Sequence, residues 1–457
     1  MLKGLKQHFI FEKQFLINML SIAVPIALQN MISFGVAMMD SVMLGSLGDQ
    51  AISAANLGGQ PFSLLMSIGF GLSSGGSVLI AQYWGRGDVA RIRTVMRLSM
   101  QSVFTASFLM TTVCLLFPEK VMGLYSHETE IVAAAAQYLQ LVALSYLPYS
   151  ISNNYMMSLR AIEKVTVSAA IYGTSFFVNV FFNYVFIFGA FGAPAMGVRG
   201  AAVGTILARC SELLLVTLYM YFKEDVTGFR FSDCFRLKNE MIQDYTKHSL
   251  PVLGNEMLWG LGISVTAAII GRIGSVFVTA NSIASVLHQL ALVSVIGVGN
   301  AAAVITGKLI GEGRIERAKR AANTILIGSV FVGMFNCALI FTLRPIFLSF
   351  YSITPEAYEV TYTVMGVLAL LHLSLAIDIT CIIGILRGGG DTKMAFAFDC
   401  GALWLVSVPM GILSGLVWGW PVTWVYVMLK LDSPIKTVLS LIRLKSGAWI
   451  RNVTNPS

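Results

Sequence analysis

The two halves of this chain repeat each other. When the first half is laid over the second so that Pro25 falls on Pro251, eight positions recur without a gap, and six of them are glycine or proline. The matched pairs are Pro25 with Pro251, Gly45 with Gly271, Gly48 with Gly274, Ala54 with Ala280, Gly71 with Gly297, Gly85 with Gly311, Gly87 with Gly313 and Arg91 with Arg317. Because glycine and proline set where helices kink, end and approach one another, the repeat predicts two related helical halves. In an apolar chain, such halves are typical of transporters that alternate about a central site.

The composition places most of the chain in lipid. Apolar residues make up 56% and charged residues 12% of the sequence, and the mean hydropathy is +0.75, whereas soluble domains carry about 25% charged residues. A helix needs about 20 apolar residues to cross a bilayer. Such segments lie near 15–44, 52–84, 94–117, 131–157, 165–189, 196–222, 248–270, 277–307, 321–343, 357–383, 394–417 and 420–442. The sequence therefore predicts an all-α integral membrane protein with twelve transmembrane helices, six in each half.

The basic residues predict the orientation of these helices. With the N-terminus inside, all but five of the 31 Lys and Arg residues fall in cytoplasmic segments, as the positive-inside rule requires. The exceptions are Lys120, Arg199, Arg272 and Arg344 outside and Arg209 within a helix. Both termini are then cytoplasmic, and the two halves are parallel repeats. The net charge of +8 thus reflects orientation in the cell (inner) membrane, and we expect no nucleic-acid partner.

One compositional break divides the chain. Residues 223–247 hold five basic and five acidic residues between two long apolar segments. We expect a six-helix lobe over 1–222, a cytoplasmic linker over 223–247 and a second lobe with a cytoplasmic tail over 248–457. The beginning of the chain lacks the short apolar core of a signal peptide, and the six cysteines show no C-x-x-C spacing, so we expect no disulfide framework, zinc site or cofactor.

A resemblance to a known family rests on Pro25 with Asp40, on the stretch from Gln82 to Asp88, on Leu386 to Thr392 and on Trp449 to Asn452. In these features the chain resembles the multidrug and toxic compound extrusion (MATE) transporters. It covers all twelve predicted helices. It implies two lobes in a V shape, a cavity between them, and export of drug-like, often cationic organic molecules against inward flow of protons or sodium.

A carboxylate and three polar side chains point to an ion-coupling site. Asp40 lies five residues before Gly45, in the outer half of the first helix, and Asn179, Asn183 and Thr205 fall at comparable depth. An ionisable group in the bilayer is costly and needs a partner or a task. These oxygens suit sodium, and a desolvated carboxylate suits a proton. The resemblance implies that these positions line the ion site, although some members carry a second acid where this chain has Asn183.

The second half carries a separate set of acids. Glu256, Asp378 and Asp399 all fall in the inner half of their helices. Glu256 and Asp378 form a candidate second acidic site for a cation or a second proton. The alternative is that these acids are paired with a nearby Arg or Lys, and for Asp399 we favour that structural role.

Four other polar residues lie within apolar helices. Arg209 and Glu212 are three residues apart in the sixth helix, and this spacing predicts a structural ion pair on one face. His288 and His372 have the chemistry for relaying protons near neutral pH. A hydrogen-bonded core histidine is the commoner case, and we take it as the default for both.

The sequence thus predicts a secondary active antiporter that exports organic cations or other amphipathic compounds in exchange for protons or sodium ions. Its partners are a small organic molecule and the lipid bilayer, and a monomer is expected to suffice. The alternative is a flippase for a lipid-linked oligosaccharide or a related precursor, but only Arg209 is available within the helices for a pyrophosphate. A membrane-embedded enzyme would need paired acids or His clusters in its loops, and the external loops hold isolated charges.

Overall fold

The structure is a computed structural model that describes residues 8–235 and 241–454, and within those ranges the regular structure is helical. Eleven helices are long and apolar enough to cross a membrane. Numbered α1 to α11, they are Lys13–Gly45, Gln50–Arg86, Val89–Leu116, Thr129–Ala161, Val165–Phe188, Val198–Phe222, Ile242–Ile273, Ser275–Gly311, Ile315–Leu348, Pro355–Leu386 and Thr392–Val417. Each overlaps one of the first eleven predicted segments, which confirms an all-α membrane fold.

The twelfth predicted segment differs from the expectation. In place of one helix over 420–442, the chain forms two short helices, α12 (Val422–Leu429) and α13 (Asp432–Lys445). The interruption falls at Lys430 and Leu431, where charged residues begin to replace the apolar run. Only α12 has an apolar sequence throughout, since α13 carries Asp432 in its first turn and Arg443 and Lys445 in its last.

Several long helices are locally irregular. A break at Gly59 divides α2 into Asp49–Gly58 and Gln60–Arg86. A 3₁₀ turn interrupts α4 at Ala143–Ser145, and α10 ends in a π-helical stretch at Thr380–Leu386. Further π-helical stretches occur in α11, at Leu403–Ser407 and Leu413–Val417. Outside the spanning helices lie the short helix Pro118–Gly123 and the 3₁₀ turns Ala190–Gly192 and Phe231–Phe235.

The recurring Gly-Arg-Gly-Asp and Gly-Glu-Gly-Arg stretches are helix-to-helix turns. Gly87 follows α2 with φ of +75°, and Gly313 follows α8 with φ of +74°. Glycine adopts this left-handed conformation without the steric cost that a side chain would add. Asp88 then caps α3, because its carboxylate accepts a hydrogen bond from the backbone N–H of Arg91 at 3.1 Å. Each of these stretches therefore ends one helix and starts the next.

By contacts between its residues, the chain divides into two compact units. The N unit comprises Leu28–Ile80 and Asp88–Leu253, and the C unit comprises the chain up to Ala27, Ala81–Gly87 and the chain from Gly254 onward. The boundaries inside α1 and α7, after Ala27 and after Leu253, fall at equivalent positions of the sequence repeat. Each follows a helix-interior proline, Pro25 or Pro251, by two residues. The predicted lobes 1–222 and 248–457 and the predicted membrane orientation remain predictions.

Repeated glycines let helix backbones meet inside each unit. In the N unit, a Cβ atom added at Gly71 would lie 2.6 Å from the Cα atom of Leu253. In the C unit, a Cβ atom at the equivalent Gly297 would lie 2.7 Å from the carbonyl oxygen of Ala23 and 3.0 Å from the Cβ of Ala27. Ala27 and Leu253 are themselves equivalent positions of the repeat. The repeat therefore encodes one helix crossing that is built twice.

Three sequence motifs that carry the family resemblance meet in the C unit. The Gln82 amide donates to the carbonyl oxygens of Gly388 at 3.3 Å and Arg451 at 3.1 Å, and its oxygen accepts from the N–H of Val453 at 2.9 Å. Trp449 is 1% exposed and covers Gly389, where no side chain would fit. These motif residues therefore hold the end of α2, the turn after α10 and the chain beyond α13 together.

A buried carboxylate reinforces the same cluster. Asp391 is fully buried and pairs with Arg443 at 2.8 Å and with Arg451 at 3.0 Å. The Arg443 guanidinium also donates to the carbonyl oxygen of Ala448 at 3.2 Å. Hydrogen bonds between ionised groups are stronger than neutral ones. The two arginines therefore bind this buried acid strongly.

The first part of the predicted linker is an ordered turn in the N unit. The buried carboxylate of Glu224 accepts hydrogen bonds from the backbone N–H groups of Val226, Thr227 and Gly228 at 2.9 to 3.1 Å. Lys164 lies 3.6 Å from the same carboxylate. Residues 236–240 of the predicted linker lie outside the described residues. The turn at Glu224 is thus tied to the helices of one unit.

Candidate functional site

Asp40 lies at a cluster of polar side chains in the N unit. Its carboxylate is half-buried on α1 and accepts a hydrogen bond from the side-chain amide of Asn183 on α5. That amide nitrogen also donates to the side-chain oxygen of Asn179 at 3.3 Å. The two asparagines are 2% and 0% exposed. The i, i+4 spacing puts both asparagines on one helical face, where Asn183 contacts Asp40 and Asn179 contacts Asn183.

The oxygen of Asn183 faces a different helix. It lies against Gly204 on α6, has no hydrogen-bond partner among the described residues, and leaves no room for a Cβ atom on that glycine. Thr205 follows Gly204, but its hydroxyl donates to the carbonyl oxygen of Ala201 in its own helix at 3.0 Å. The structure therefore brings three of the four predicted side chains together, and Thr205 bonds within its own helix.

The predicted pair of Arg209 and Glu212 forms next to this cluster. The guanidinium lies 2.6 Å from the carboxylate of Glu212, which is 1% exposed and also accepts from the hydroxyl of Ser175 at 2.7 Å. Arg209 stacks over the rings of Tyr149 at 5.0 Å and Phe62 at 5.9 Å, an arrangement that stabilises a cation. Its charge therefore has both a counter-ion and aromatic faces.

Asp40 lacks such a counter-ion. Among the described residues, no basic side chain lies within the 4.0 Å that defines an ion pair with its carboxylate. The positive charge of Arg209 acts on Asp40 only from beyond that distance. The hydrogen bond from the Ser175 hydroxyl to Glu212 was not predicted, because a lone serine in an apolar helix carries no spacing signal.

In the C unit, Glu256 is neutralised by a basic residue. Its carboxylate lies 3.0 Å from the guanidinium of Arg387, which is 2% exposed. In the N unit, Arg160, which the repeat places opposite Arg387, donates to the neutral side chain of Gln29 at 3.1 Å. Glu256 is therefore paired with an arginine, which is the alternative to a second acidic site that the sequence left open.

Asp399 is also held by a base, in line with its expected structural role. Lys436 lies 2.7 Å from Asp399 and 2.7 Å from Asp432, and Asn255 donates to Asp399 at 2.8 Å. Lys436 is 6% exposed. No role was predicted for Lys436, which lies within the twelfth predicted segment, 420–442. The i, i+4 spacing of Asp432 and Lys436 was the available signal.

Among the described residues, no basic side chain lies at ion-pair distance from Asp378. It is 3% exposed on α10, and its Oδ2 atom has no hydrogen-bond partner in the described part of the chain. It lies near the Asp399–Lys436–Asp432 group, whose single lysine serves two other carboxylates. Glu256 and Asp378 thus have different partners, and the structure does not join them into one contact.

The two intramembrane histidines meet each other in the C unit. The ring centroids of His288 on α8 and His372 on α10 lie 5.1 Å apart at an interplanar angle of 76°. Within residues 8–235 and 241–454, no group of three or more His, Cys, Asp or Glu side chains is arranged to hold a metal ion.

Comparison with known proteins identifies the family. The MatE family model matches residues 25–185 and 251–413. The probable multidrug resistance protein NorM of Thermotoga maritima is 24% identical over 448 residues, covering 94% of this chain and 92% of that protein. The multidrug resistance protein MdtK of Yersinia enterocolitica is 24% identical over 414 residues, covering 90% and 89%.

A solved structure shows the same fold. The crystal structure of an aspartate-to-asparagine mutant of the Vibrio cholerae MATE transporter VcmN superposes with a TM-score of 0.87 at 14% identity. The superposition covers 96% of this chain and 98% of that chain. The two segments that match the family model begin at the matched prolines Pro25 and Pro251, so they coincide with the internal repeat. The chain belongs to the MatE family, the multidrug and toxic compound extrusion (MATE) transporters, and is a multi-pass membrane transporter rather than an enzyme.

Proposed function

We propose that this transporter is a secondary active antiporter that exports organic cations and other drug-like amphipathic compounds in exchange for protons. The proton binds Asp40, and the transport cycle proceeds by alternating access. The substrate class is supported by the names of the relatives, which are described as multidrug resistance proteins. The coupling residue is supported by the geometry at Asp40.

One observation carries the proposal: Asp40 is a carboxylate in a membrane-spanning helix with amide neighbours and no counter-ion at ion-pair distance among the described residues. A charge in that setting costs at least a few kcal/mol. Uptake of a proton removes the charge and therefore the cost. Asp391 and Glu256 show the alternative, since arginines balance their charges.

The orientation of Asn183 favours a proton over sodium. Its nitrogen faces Asp40 and Asn179, while its oxygen faces Gly204. Sodium is a hard cation that needs several oxygen ligands, and Asn183 presents a hydrogen-bond donor to Asp40 instead. Sodium binding would require that amide to turn over, which would leave its nitrogen against Gly204. Sodium is therefore the second ion to test.

Coupling follows from what protonation does to this contact. Ionised Asp40 accepts a charge-assisted hydrogen bond from Asn183, and such bonds are about twice as strong as neutral ones. A protonated Asp40 weakens that bond between α1 and α5. If the two conformations of the transporter hold this contact differently, a bound proton shifts the balance between them and so drives release of substrate.

Efflux of a fluorescent cationic dye from proteoliposomes tests the proposal, with a proton gradient and a sodium gradient imposed separately. We expect the proton gradient to drive efflux by the wild type, and Asp40→Asn to abolish that response while the protein still inserts. Asp225→Asn is the matched control, because it makes the same chemical change on an 86% exposed side chain. Proton-driven efflux by Asp40→Asn at the wild-type rate would refute the role of Asp40.

The remaining outcomes separate the ions and the substrate. Efflux that responds only to sodium, and only with Asp40 present, would replace the proton by sodium. Efflux that responds to neither gradient would overturn the antiporter proposal. The same assay applied to Asp378→Asn tests Asp378 as the second acidic site: a partial loss of proton-driven efflux is expected if it titrates, and wild-type efflux would assign it a structural role.

A further inference from the structure

The buried ion pair on α6 has a defined direction relative to Asp40. The guanidinium of Arg209 lies 2.6 Å from the carboxylate of Glu212, which follows it by three residues. An ion pair is a dipole, and its effect on a third charge depends on which end lies nearer to that charge. The contacts between α5 and α6 show which end of this pair is nearer to Asp40.

Helix α5 carries a row of polar side chains that connects the two carboxylates. Ser175, Asn179 and Asn183 are spaced four residues apart, so they lie on one face of the helix. At one end of the row, the hydroxyl of Ser175 donates to Glu212 at 2.7 Å. At the other end, the amide of Asn183 donates to Asp40. The ends of the row are about 12 Å apart along the helix axis, at 1.5 Å per residue.

Arg209 lies between these two ends. On α6, Gly204 packs against Asn183 at the Asp40 end of the row. Arg209 follows Gly204 by five residues and Glu212 follows it by eight. Helical side chains lean toward the N-terminus of their helix, which in α6 is the end that holds Gly204. The positive end of the ion pair is therefore nearer to Asp40 than the negative end.

Aromatic rings hold the guanidinium in this position. Arg209 lies over the rings of Tyr149 on α4 at 5.0 Å and Phe62 on α2 at 5.9 Å. The side chain of Arg209 is 17% exposed and that of Glu212 is 1% exposed. Water screens a pair in this setting much less than it screens a surface pair. The field of the pair therefore extends beyond its own contact.

Few charged or titratable groups face Asp40 from the helices packed around it. Among the described residues, Arg209 of α6 is the charged side chain that acts on it. The phenol of Tyr138 on α4 is the nearby titratable group. Helix α5 contributes neutral amides, and α2 contributes apolar side chains to the cluster around Met43 and Leu44. The direction of the Arg209 pair is therefore the main electrostatic influence on this carboxylate.

We propose that Arg209 is a positioning residue for the coupling proton: held by Glu212 with its charge toward Asp40, it favours the ionised carboxylate and so sets the pH at which the proton is released. Release breaks one O–H bond and leaves a carboxylate, which a nearby positive charge stabilises. Without that charge, the cost of an ionised acid in the membrane holds the proton on Asp40. The inference rests on the proposed function, in which Asp40 is the proton-binding residue.

Infrared spectroscopy of the protein in liposomes tests this role by following the protonation of Asp40. The carboxylic C=O band that is lost in Asp40→Asn belongs to Asp40, and its intensity against pH gives the protonation midpoint. We expect Arg209→Gln to move this midpoint to higher pH by about one unit and Glu212→Gln to move it to lower pH. Arg272→Gln is the matched control, because Arg272 is exposed in the C unit, and should leave the midpoint unchanged.

Two further variants separate charge from packing. Arg209→Lys keeps the positive charge and should keep the midpoint near that of the wild type. The double variant Arg209→Gln/Glu212→Gln leaves no unpaired charge, so it provides a result if a single variant fails to fold. Its midpoint should lie between those of the wild type and Arg209→Gln, because it also lacks the repulsion between Glu212 and Asp40.

Three results would overturn the inference. They are a double variant with the wild-type midpoint, shifts in the same direction for the two single glutamine variants, and a shift in Arg209→Lys as large as in Arg209→Gln. Dye efflux is a separate measurement. A wild type without proton-driven efflux would refute the proposed function, whereas proton-driven efflux combined with unchanged midpoints in the variants would overturn only the role of Arg209.

Discussion

The two units of this transporter treat charged residues in opposite ways. In the C unit, buried ion pairs join different elements: Arg387 reaches Glu256, which is 131 residues away, and Lys436 joins α13 to Asp399 on α11. In the N unit, the buried pair of Arg209 and Glu212 lies within a single helix. Asp40, which does contact another helix, does so through the neutral amide of Asn183.

Ion pairs of the C unit hold helices together, whereas the role proposed for Asp40 in the N unit is ion coupling. Buried ion pairs between helices are costly to break, because each partner is left as an unpaired charge. When a carboxylate that is hydrogen-bonded to a neutral amide takes up a proton, no unpaired charge is left behind, so less stability is lost. We therefore infer that the C unit uses charge to hold helices in place and that the N unit keeps Asp40 available for titration. The four predictions below test this comparison, from the largest expected effect to the smallest.

Removal of the central lysine of the C unit should have the largest effect. Lys436→Met leaves Asp399 and Asp432 without their shared base, and breaking a buried pair costs about 3 to 5 kcal/mol. We expect the midpoint of unfolding in mixed micelles to fall accordingly. Lys445→Met is the matched control, because Lys445 is exposed at the end of the same helix. Equal midpoints for the two variants would contradict the fastening role.

Arg387→Gln should cost somewhat less, about 3 kcal/mol, since the side chain of its partner Glu256 is 16% exposed and keeps some hydration. The double variant Arg387→Gln/Glu256→Gln should recover most of the loss, because no unpaired charge remains. Unfolding midpoints of the single and double variants measure the coupling. A double variant no more stable than Arg387→Gln would show that packing of the arginine, rather than its charge, holds this contact.

Substitutions at the repeated helix crossings should destabilise the two units to a similar extent, whereas substitutions of charged residues should not. Gly71→Ala and Gly297→Ala each push a methyl group into a neighbouring backbone, and such overpacking costs about 1 to 3 kcal/mol. Gly260→Ala is the control, because no atom lies within 4 Å of the added methyl group. We expect similar losses for the first two in thermal unfolding and none for the control. A loss confined to one unit would mean that the repeated crossing is not equivalent.

The exposed pair of the N unit should contribute least. A hydrogen bond from Lys164 at 3.0 Å lowers the pKa of Asp225 below its ordinary value. A lowered pKa stabilises the fold above the unfolded-state pKa, and the contribution is lost as the pH falls through the lowered value. Because this side chain is 86% exposed, Asp225→Asn should leave the unfolding midpoint unchanged at neutral pH and in acid. A clear shift at neutral pH would mean that surface pairs also fasten this unit.

Much of the fold followed from the sequence because its signals are local or periodic. Long apolar segments predicted twelve spanning helices, of which the first eleven match long helices in the described residues, and the spacing of Asn179 and Asn183 predicted a shared face. The twelfth segment did not form one helix, since counting apolar residues ignores where Asp432 finds partners. Ser175 went unrecognised for a similar reason, because its role depends on Glu212 in another helix. Lys436 has a local signal in its i, i+4 spacing to Asp432, but its contact with Asp399 depends on another helix.

The sequence by itself determined the repeat, the helices and the position of an acid within the first of them. These features depend on neighbouring residues along the chain, and the apolar effect and backbone hydrogen bonding act there regardless of partners. The tertiary structure decided which acids have a counter-ion. Asp40, Glu256 and Asp399 are each a single acid near the end or middle of an apolar helix, and only packing places Arg387 beside Glu256, Lys436 beside Asp399 and an amide beside Asp40.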